Sequence, residues 1–197
     1  MSNLSVISAV IIILVLAVIA GAVYVQRRKR SERLKRRFGP EYGHTIEQLG
    51  DAAKAEADLV AREQRVDRLN IIPLVASEAT RFRLSWNMLQ GRFVDNPNVV
   101  VDQADRLVCE LMQKRGYPMG DFERRVEDIS VDHPRVVTNY RAAHAIALRH
   151  KNGEATTEDL RRAVVHYRAL FNDLLEVGDP QADLSSAQAR RRFTVPS

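Results

Sequence analysis

Four polar side chains in the C-terminal half of the chain are of types that could do chemistry. Tyr140 and His144 are four residues apart, so they share one face of a helix. His166 and Tyr167 lie on a later segment that is also predicted to be helical. If the two helices pack side by side, these side chains could line a polar pocket for a small ligand.

The histidines could also bind a metal or act as an acid–base pair, with Asp132 or His133 as a further member. The spacing of these residues gives little support to a metal site or to an acid–base pair. No carboxylate lies three or four residues from His144 or His166, so no helix face supplies a second ligand. The simpler interpretation is that these side chains form hydrogen bonds within or between helices.

The other candidate reactive residues are isolated. The one Glu-x-x-His pair, Glu41 and His44, falls in a linker containing glycine and proline, where no helix is predicted to align it. Cys109 is the only cysteine and lies on an apolar helical stretch, so a buried structural thiol is expected. The sequence therefore predicts a protein that is not an enzyme and has no cofactor and no metal.

The N-terminal segment predicts a transmembrane anchor over residues 1–25. Leu4 to Val25 contains no charged side chain, and 14 of these 22 residues are Val, Ile or Leu. A helix of about 20 apolar residues spans a bilayer core of roughly 30 Å. A cleaved signal peptide is the alternative, and Ala20-Gly21-Ala22 resembles a cleavage site, but no charged side chain precedes the run and the run is long.

A dense basic cluster follows the apolar run. Within residues 26–37 there are eight bases and one acid, Glu32. The bases are Arg27, Arg28, Lys29, Arg30, Arg33, Lys35, Arg36 and Arg37. Basic residues just after an apolar span mark its cytoplasmic side, which predicts a single-pass protein with its N-terminus outside and residues 26–197 in the cytoplasm. Anionic lipid headgroups are the predicted partner of this cluster.

The basic cluster also accounts for the high net charge. It carries +7 of a chain whose formal net charge is +5, so the remainder carries −2. Nucleic-acid binding requires a basic face on a folded unit, and none is evident. The sequence therefore argues against a nucleic-acid partner.

Every periodic segment after the anchor is predicted to be helical, which makes the chain all-α. Residues 26–69 are expected to form the basic juxtamembrane segment and an amphipathic stalk helix from about Ile46 to Leu69, with Thr45 as its cap. Residues 70–177 are expected to form a compact bundle of about five helices, and residues 178–197 a disordered tail. Predicted helix ends include Pro97, Gly116, Asp121, Pro134 and a Thr156–Asp159 capping box.

Several stretches of the predicted bundle resemble a widespread family of bacterial proteins of unknown function that combine an N-terminal hydrophobic segment with this helical domain. The likeness covers roughly residues 34–175. It rests on "WNMLQGRFVDNP", "ADRLVCELMQKRGYP", "DFERRVEDISVDHPRVV", "NYRAAHAI" and "TEDLRRAVVHYRALF". The resemblance implies a bacterial chain, which would place the anchor in the inner membrane, but it implies no activity, cofactor or partner.

Two functions from different classes follow from these observations. The first is a membrane-anchored, cytoplasm-facing helical interaction module whose protein partner the sequence does not identify. The second is a ligand-binding sensor or an enzyme that uses the pocket around Tyr140, His144, His166 and Tyr167. Self-association is a further possibility, because Ala17-x-x-x-Gly21 is a small-residue spacing that lets membrane helices approach closely.

Overall fold

A computed structural model describes the backbone of residues 3–175 and the side chains of residues 12–175. Over this range the chain is all-α, with eight helices and no strand. The helices are α1 (Asn3–Phe38), α2 (Pro40–Leu49), α3 (Ala52–Val66), α4 (Ala76–Gly91), α5 (Pro97–Arg115), α6 (Phe122–Asp132), α7 (Val137–Lys151) and α8 (Thr157–Leu174). The chain divides into two compact units, Met1–Leu59 and Val60–Ser197. The predicted tail, residues 178–197, lies outside the described residues.

The predicted anchor and the basic cluster belong to one continuous helix, α1. The side chains of residues 4–11, the first part of that anchor, lie outside the described residues. Among the residues that the structure describes, no helix is both long enough and apolar enough to cross a bilayer. All eight basic side chains of the cluster are exposed.

The first unit has a small core of its own. Leu34 and Phe38, on the buried side of the end of α1, are fully buried together with Ala55 and Leu59 from the start of α3. Glu56 connects the same helices, because its Oε1 accepts hydrogen bonds from Ser31 Oγ at 2.5 Å and from Tyr42 Oη at 2.9 Å. The C-terminal end of α1 is thereby held against α2 and the first turns of α3.

The prediction of one stalk helix from Ile46 to Leu69 is wrong. Gly50 adopts the left-handed conformation, with φ of +67°, and ends α2, while α3 begins at Ala52. Thr45 does not cap a helix, because it lies inside α2 and its hydroxyl donates to the Glu41 carbonyl oxygen at 2.9 Å. A glycine inside a helix is unfavourable, and its freedom to adopt a positive φ allows Gly50 to end α2 instead.

The second unit contains the five helices expected between residues 70 and 177, α4 to α8. Helix α8 packs against both α5 and α7, and α4 packs against α5. Trp86 of α4 stacks on Phe171 of α8 with ring centroids 4.6 Å apart, so aromatic contacts join the edge of the bundle to its centre. The face of α4 formed by Phe82, Trp86 and Leu89 is buried, which agrees with their helical spacing, and Phe93 at the next apolar position is partly buried.

Most predicted helix ends of the second unit are confirmed. Pro97 begins α5, and the Asp121 carboxylate accepts the Arg124 backbone N–H at 2.8 Å. Thr156 and Asp159 form a reciprocal capping box at the start of α8. The prediction that Pro134 begins a helix is wrong: it lies in a turn closed by the Val136 N–H and the His133 carbonyl oxygen at 3.2 Å, and α7 starts at Val137.

Gly116 ends α5 at a point where the chain passes close to another segment. Its φ is +96°, the left-handed conformation expected from the sequence. A Cβ atom at this position would also collide with the carbonyl oxygen of Asn70. The neighbouring Ile72 N–H donates to the Arg115 carbonyl oxygen at 2.9 Å, so the segment before α4 is fixed against the end of α5.

Candidate functional site

The structure brings two of the four predicted pocket residues together in the core. Tyr140 of α7 and Tyr167 of α8 are both fully buried, and their rings meet edge to face with centroids 6.5 Å apart. This arrangement places two phenolic hydroxyls inside the bundle, where each needs a hydrogen-bond partner.

Both hydroxyls are hydrogen-bonded to charged side chains. Tyr167 Oη donates to Asp105 Oδ1 at 2.9 Å, and Tyr140 Oη accepts from Arg125 Nε at 3.1 Å. Burial is the main cause that raises the pKa of both tyrosines, and the Asp105 carboxylate raises the pKa of Tyr167 further. The two phenols are therefore neutral at physiological pH and serve as hydrogen-bonding groups rather than as bases.

Cys109 lies beside this cluster, half-buried on α5. Burial raises the pKa of its thiol, and the nearby Asp105 carboxylate adds to the effect, whereas Arg125 and the hydrogen bond with Tyr140 oppose it. The group is a thiol at neutral pH, and only the thiolate is a strong nucleophile. This environment suits a structural cysteine, although it is less deeply buried than the sequence suggests.

His144 is close to the tyrosine cluster but faces a groove. Its ring stacks on Phe122 with centroids 3.6 Å apart and an angle of 10° between the planes. The two rings line a groove of about 530 Å³ together with Asp121, Glu123, Arg141, Ala145 and Leu148. Burial lowers the pKa of His144, which favours its neutral form.

His166 is hydrogen-bonded to a residue outside the predicted pocket. Its Nδ1 lies 2.8 Å from the side-chain oxygen of Asn139, across the interface between α8 and α7. Because that oxygen can only accept, Nδ1 carries the proton and donates it. The hydrogen bond fixes the ring between two helices, as the simpler interpretation of the sequence expects.

A second polar cluster was only partly foreseen in the sequence. His133 ends α6, and its Nδ1 lies 2.6 Å from Asp173 Oδ2 of α8. Arg115 Nη1, at the end of α5, lies 3.2 Å from His133 Nε2 and donates to the carbonyl oxygen of Leu174 at 3.2 Å. The C-terminal ends of three helices thus meet around a guanidinium and an imidazole, where cationic groups are favoured.

Asp132 extends this second cluster toward the surface. It accepts a hydrogen bond from Tyr117 Oη at 2.9 Å and, with Arg115 and His133, borders a polar groove of about 400 Å³. The sequence suggests Asp132 or His133 as a further member of a site with His144 and His166. Their actual partners are Tyr117 and Asp173, which no spacing along the chain connects with them.

The described residues contain no group of three or more His, Cys, Asp or Glu side chains arranged to hold a metal ion. The prediction that no helix aligns Glu41 with His44 is wrong, because both lie on α2. The carboxylate of Glu41 is buried whereas His44 is exposed, so their one-turn spacing does not make a shared site.

A third feature is the groove between α4 and α5, which we call the α4–α5 groove. It has a volume of about 250 Å³. Its lining residues are Ser85, Met88 and Leu89 from α4, Arg92 at the C-terminal cap of α4, and Gln103, Arg106, Leu107 and Glu110 from α5. The side chain of Met88 is 63% exposed, and that of Leu84, one turn earlier on α4, is 58% exposed. Large apolar side chains concentrated on one helix face are typical of interaction surfaces.

The two arginines of the α4–α5 groove were expected to pair with nearby acids. The sequence predicts ion pairs between Arg106 and Asp102, one helical turn apart, and between Arg92 and Asp95. Within the described part of the chain, neither arginine has a carboxylate oxygen within 4.0 Å. Both arginines are exposed and line the groove beside the apolar side chains of Met88, Leu89 and Leu107.

The chain was compared with models of protein families, with curated proteins and with solved structures, and none of the three comparisons gave a match.

Proposed function

We propose that this chain is a membrane-tethered helical interaction module. In this proposal the N-terminal part of α1 anchors the chain in the bacterial inner membrane, and the five-helix unit, α4 to α8, binds another protein in the cytoplasm. The module has no catalytic role of its own.

The observation that carries the proposal is the α4–α5 groove. Met88 and Leu84 are exposed on a helix whose opposite face is well packed, so they add nothing to the core of the unit. Arg92 and Arg106, which have no carboxylate partner among the described residues, border the same groove. Apolar anchors surrounded by charged side chains are the usual composition of protein-binding surfaces.

The tether is supported by the composition of α1. Large apolar side chains are exposed along residues 12–25, and the eight exposed bases follow on the same helix. A bilayer would cover the apolar side chains, and anionic headgroups would attract the bases by about 1 kcal/mol for each residue close to the surface. The N-terminus would then lie outside, and residues 26–197 would lie inside.

The test is a crosslinking pull-down of the full chain from native membranes, with an untagged strain as control. We expect a defined protein to be enriched with the tagged chain, because the groove needs a partner to cover it. Recovery of no protein above the untagged control would contradict the proposal. Protease added to intact cells should leave residues 26–197 uncut, and digestion within this range would contradict the topology.

A second candidate function is favoured by one observation, the groove beside His144. Its volume of about 530 Å³ falls in the range of small-molecule sites, roughly 300–1,000 Å³, and its aromatic wall could stack a planar ligand. A fragment screen followed by NMR on the full chain would test it. Binding that perturbs the His144 and Phe122 resonances would support a sensor, and a screen without such a hit would exclude it.

A further inference from the structure

One face of each of two neighbouring helices lines the α4–α5 groove. Its lining residues are 85, 88 and 89 on α4, Arg92 at the C-terminal cap of α4, and 103, 106, 107 and 110 on α5, which are spacings of three and four residues along each helix face. An ion pair of 2.7 Å between Glu78 and Lys114 joins the two helices beyond one end of the groove. A short connection, residues 92–96, joins them at the other end.

The volume of the α4–α5 groove suits individual side chains of a partner rather than a free small molecule. Its volume of about 250 Å³ is below the roughly 300–1,000 Å³ of small-molecule sites. Leu89 and Leu107 are buried and form its floor, and Met88 stands exposed at its edge. Methionine adapts its shape to an incoming apolar side chain. The groove thus suits apolar residues that a partner helix presents along one face.

The charges of the groove favour a partner that carries acidic side chains beside its apolar face. Arg92 and Arg106 are exposed and have no carboxylate partner among the described residues, whereas Glu110 is the only acid in the lining. Arg81 and Arg83 add two more exposed positive charges to α4, and the one acid of this helix, Glu78, is already paired with Lys114. A partner with carboxylates beside its apolar face would be attracted, and a basic one would be repelled.

We infer that the α4–α5 groove binds an acidic amphipathic helix of another protein. Apolar residues of that helix, spaced by three or four, insert beside Met88 over Leu89 and Leu107. Its flanking Asp or Glu side chains pair with Arg92 and Arg106. This inference rests on the proposed interaction function and names the chemistry of the partner.

The experiment places a photocrosslinking amino acid, p-benzoylphenylalanine, at Met88 of the full chain in native membranes. The control places it at Val165, an apolar exposed residue of α8 outside the groove. Mass spectrometry then identifies the crosslinked segment. We expect crosslinks from position 88, at least about fivefold above those from position 165, to a segment with apolar residues at helical spacing and a net negative charge.

Charge reversal tests the role of the arginines. The double variant Arg92→Glu/Arg106→Glu should reduce the crosslink from position 88 about tenfold, because two attractive contacts become repulsive. The control is Arg168→Glu on α8, an exposed arginine outside the groove, which should leave the crosslink unchanged. Equal crosslinking in the double variant would overturn the inference.

The other outcomes separate this inference from the proposed function. Crosslinks from position 88 to lipid, to a second copy of this chain, or to a basic or extended segment would overturn the acidic helix. Capture of a partner protein only from position 165 would also overturn the acidic helix. The proposed interaction function would then stand, with a different binding surface. Capture of no protein from either position, together with a pull-down that recovers none, would overturn both.

Discussion

His133 Nδ1 lies 2.6 Å from Asp173 Oδ2 and ties the end of α6 to the last turn of α8. The tautomer follows from the other ring nitrogen: Arg115 can only donate, so Nε2 accepts and Nδ1 carries the proton. The imidazole is thus a bridge between an arginine and an aspartate at the meeting point of three helix ends. With both ring nitrogens occupied, it has a structural rather than a catalytic role.

Replacing His133 with alanine should destabilise the second unit. The substitution removes the acceptor for Arg115 and the donor for Asp173, and loss of hydrogen bonds to buried or charged groups costs about 1–3 kcal/mol. Urea unfolding of the full chain in detergent measures the effect. The matched control is His44→Ala, an exposed histidine of the first unit. Equal midpoints for the two variants would show that the bridge contributes nothing.

Substituting Gly116 should cost more than substituting another glycine with positive φ. Gly153 has φ of +76° with open space around its Cα, whereas Gly116 has φ of +96° and faces the Asn70 carbonyl oxygen. In both alanine variants the left-handed conformation lowers the stability by roughly 1–2 kcal/mol. Gly116→Ala must in addition move the segment before α4. Thermal unfolding should therefore give a clearly lower midpoint for Gly116→Ala than for Gly153→Ala, and equal midpoints would contradict the close approach.

The capping box of α8 should make stability depend on pH in the acid range. Hydrogen bonds from Thr156 are the main cause that lowers the pKa of Asp159 from 3.8 to about 2, with Arg149 adding to the effect. Since the folded-state pKa lies below the unfolded value, the contribution is present above pH 3.8 and is lost as the pH falls through about 2.

Comparing Asp159→Ala with the parent chain between pH 6 and pH 2 tests this dependence. The difference in unfolding midpoint should be largest above about pH 4 and should shrink toward pH 2. Asp95→Ala removes an exposed acid that has no partner among the described residues, and it should show no such trend. A difference for Asp159→Ala that stays constant over this range would contradict the role of its ionised carboxylate.

Cys109 should react slowly with iodoacetamide at neutral pH. Burial and Asp105 raise the pKa of its thiol, so the thiolate is scarce. The midpoint of the rate against pH should lie above 9.0, the ordinary value for a cysteine thiol. Because the hydrogen bond with Tyr140 lowers the pKa of this thiol, Tyr140→Phe should move the midpoint higher still. A midpoint below 9.0, or a downward shift in the variant, would contradict this assignment.

The sequence predicted the features of the fold that depend on neighbouring residues. The helical class follows from apolar spacing, and the ends at Pro97, Gly116, Asp121 and Thr156 follow from local capping chemistry. The errors arose where a local signal had two meanings. Pro134 fits the first turn of a helix and a turn equally well, and Gly50 could weaken a helix or end one.

The candidate sites depend on contacts between distant residues, which the sequence could not supply. Tyr167 meets Asp105, and His133 meets Asp173, only after the helices have packed. The sequence places Tyr140 and Tyr167 on helices that could pack side by side. The edge-to-face contact of their rings and the orientation of His166 toward Asn139 depend on the rotation of each helix about its own axis. Spacing alone suggests acidic partners for Arg92 and Arg106, whereas the described residues provide none.

The continuity of α1 has a mechanical consequence. Its 36 residues form one helix of about 54 Å, with no proline between the apolar run and the buried pair Leu34 and Phe38. The hydrogen bonds of Glu56 with Ser31 and Tyr42 join the C-terminal end of this helix to α2 and α3. A rotation or an axial shift applied at the N-terminal end would therefore be transmitted to α2 and α3.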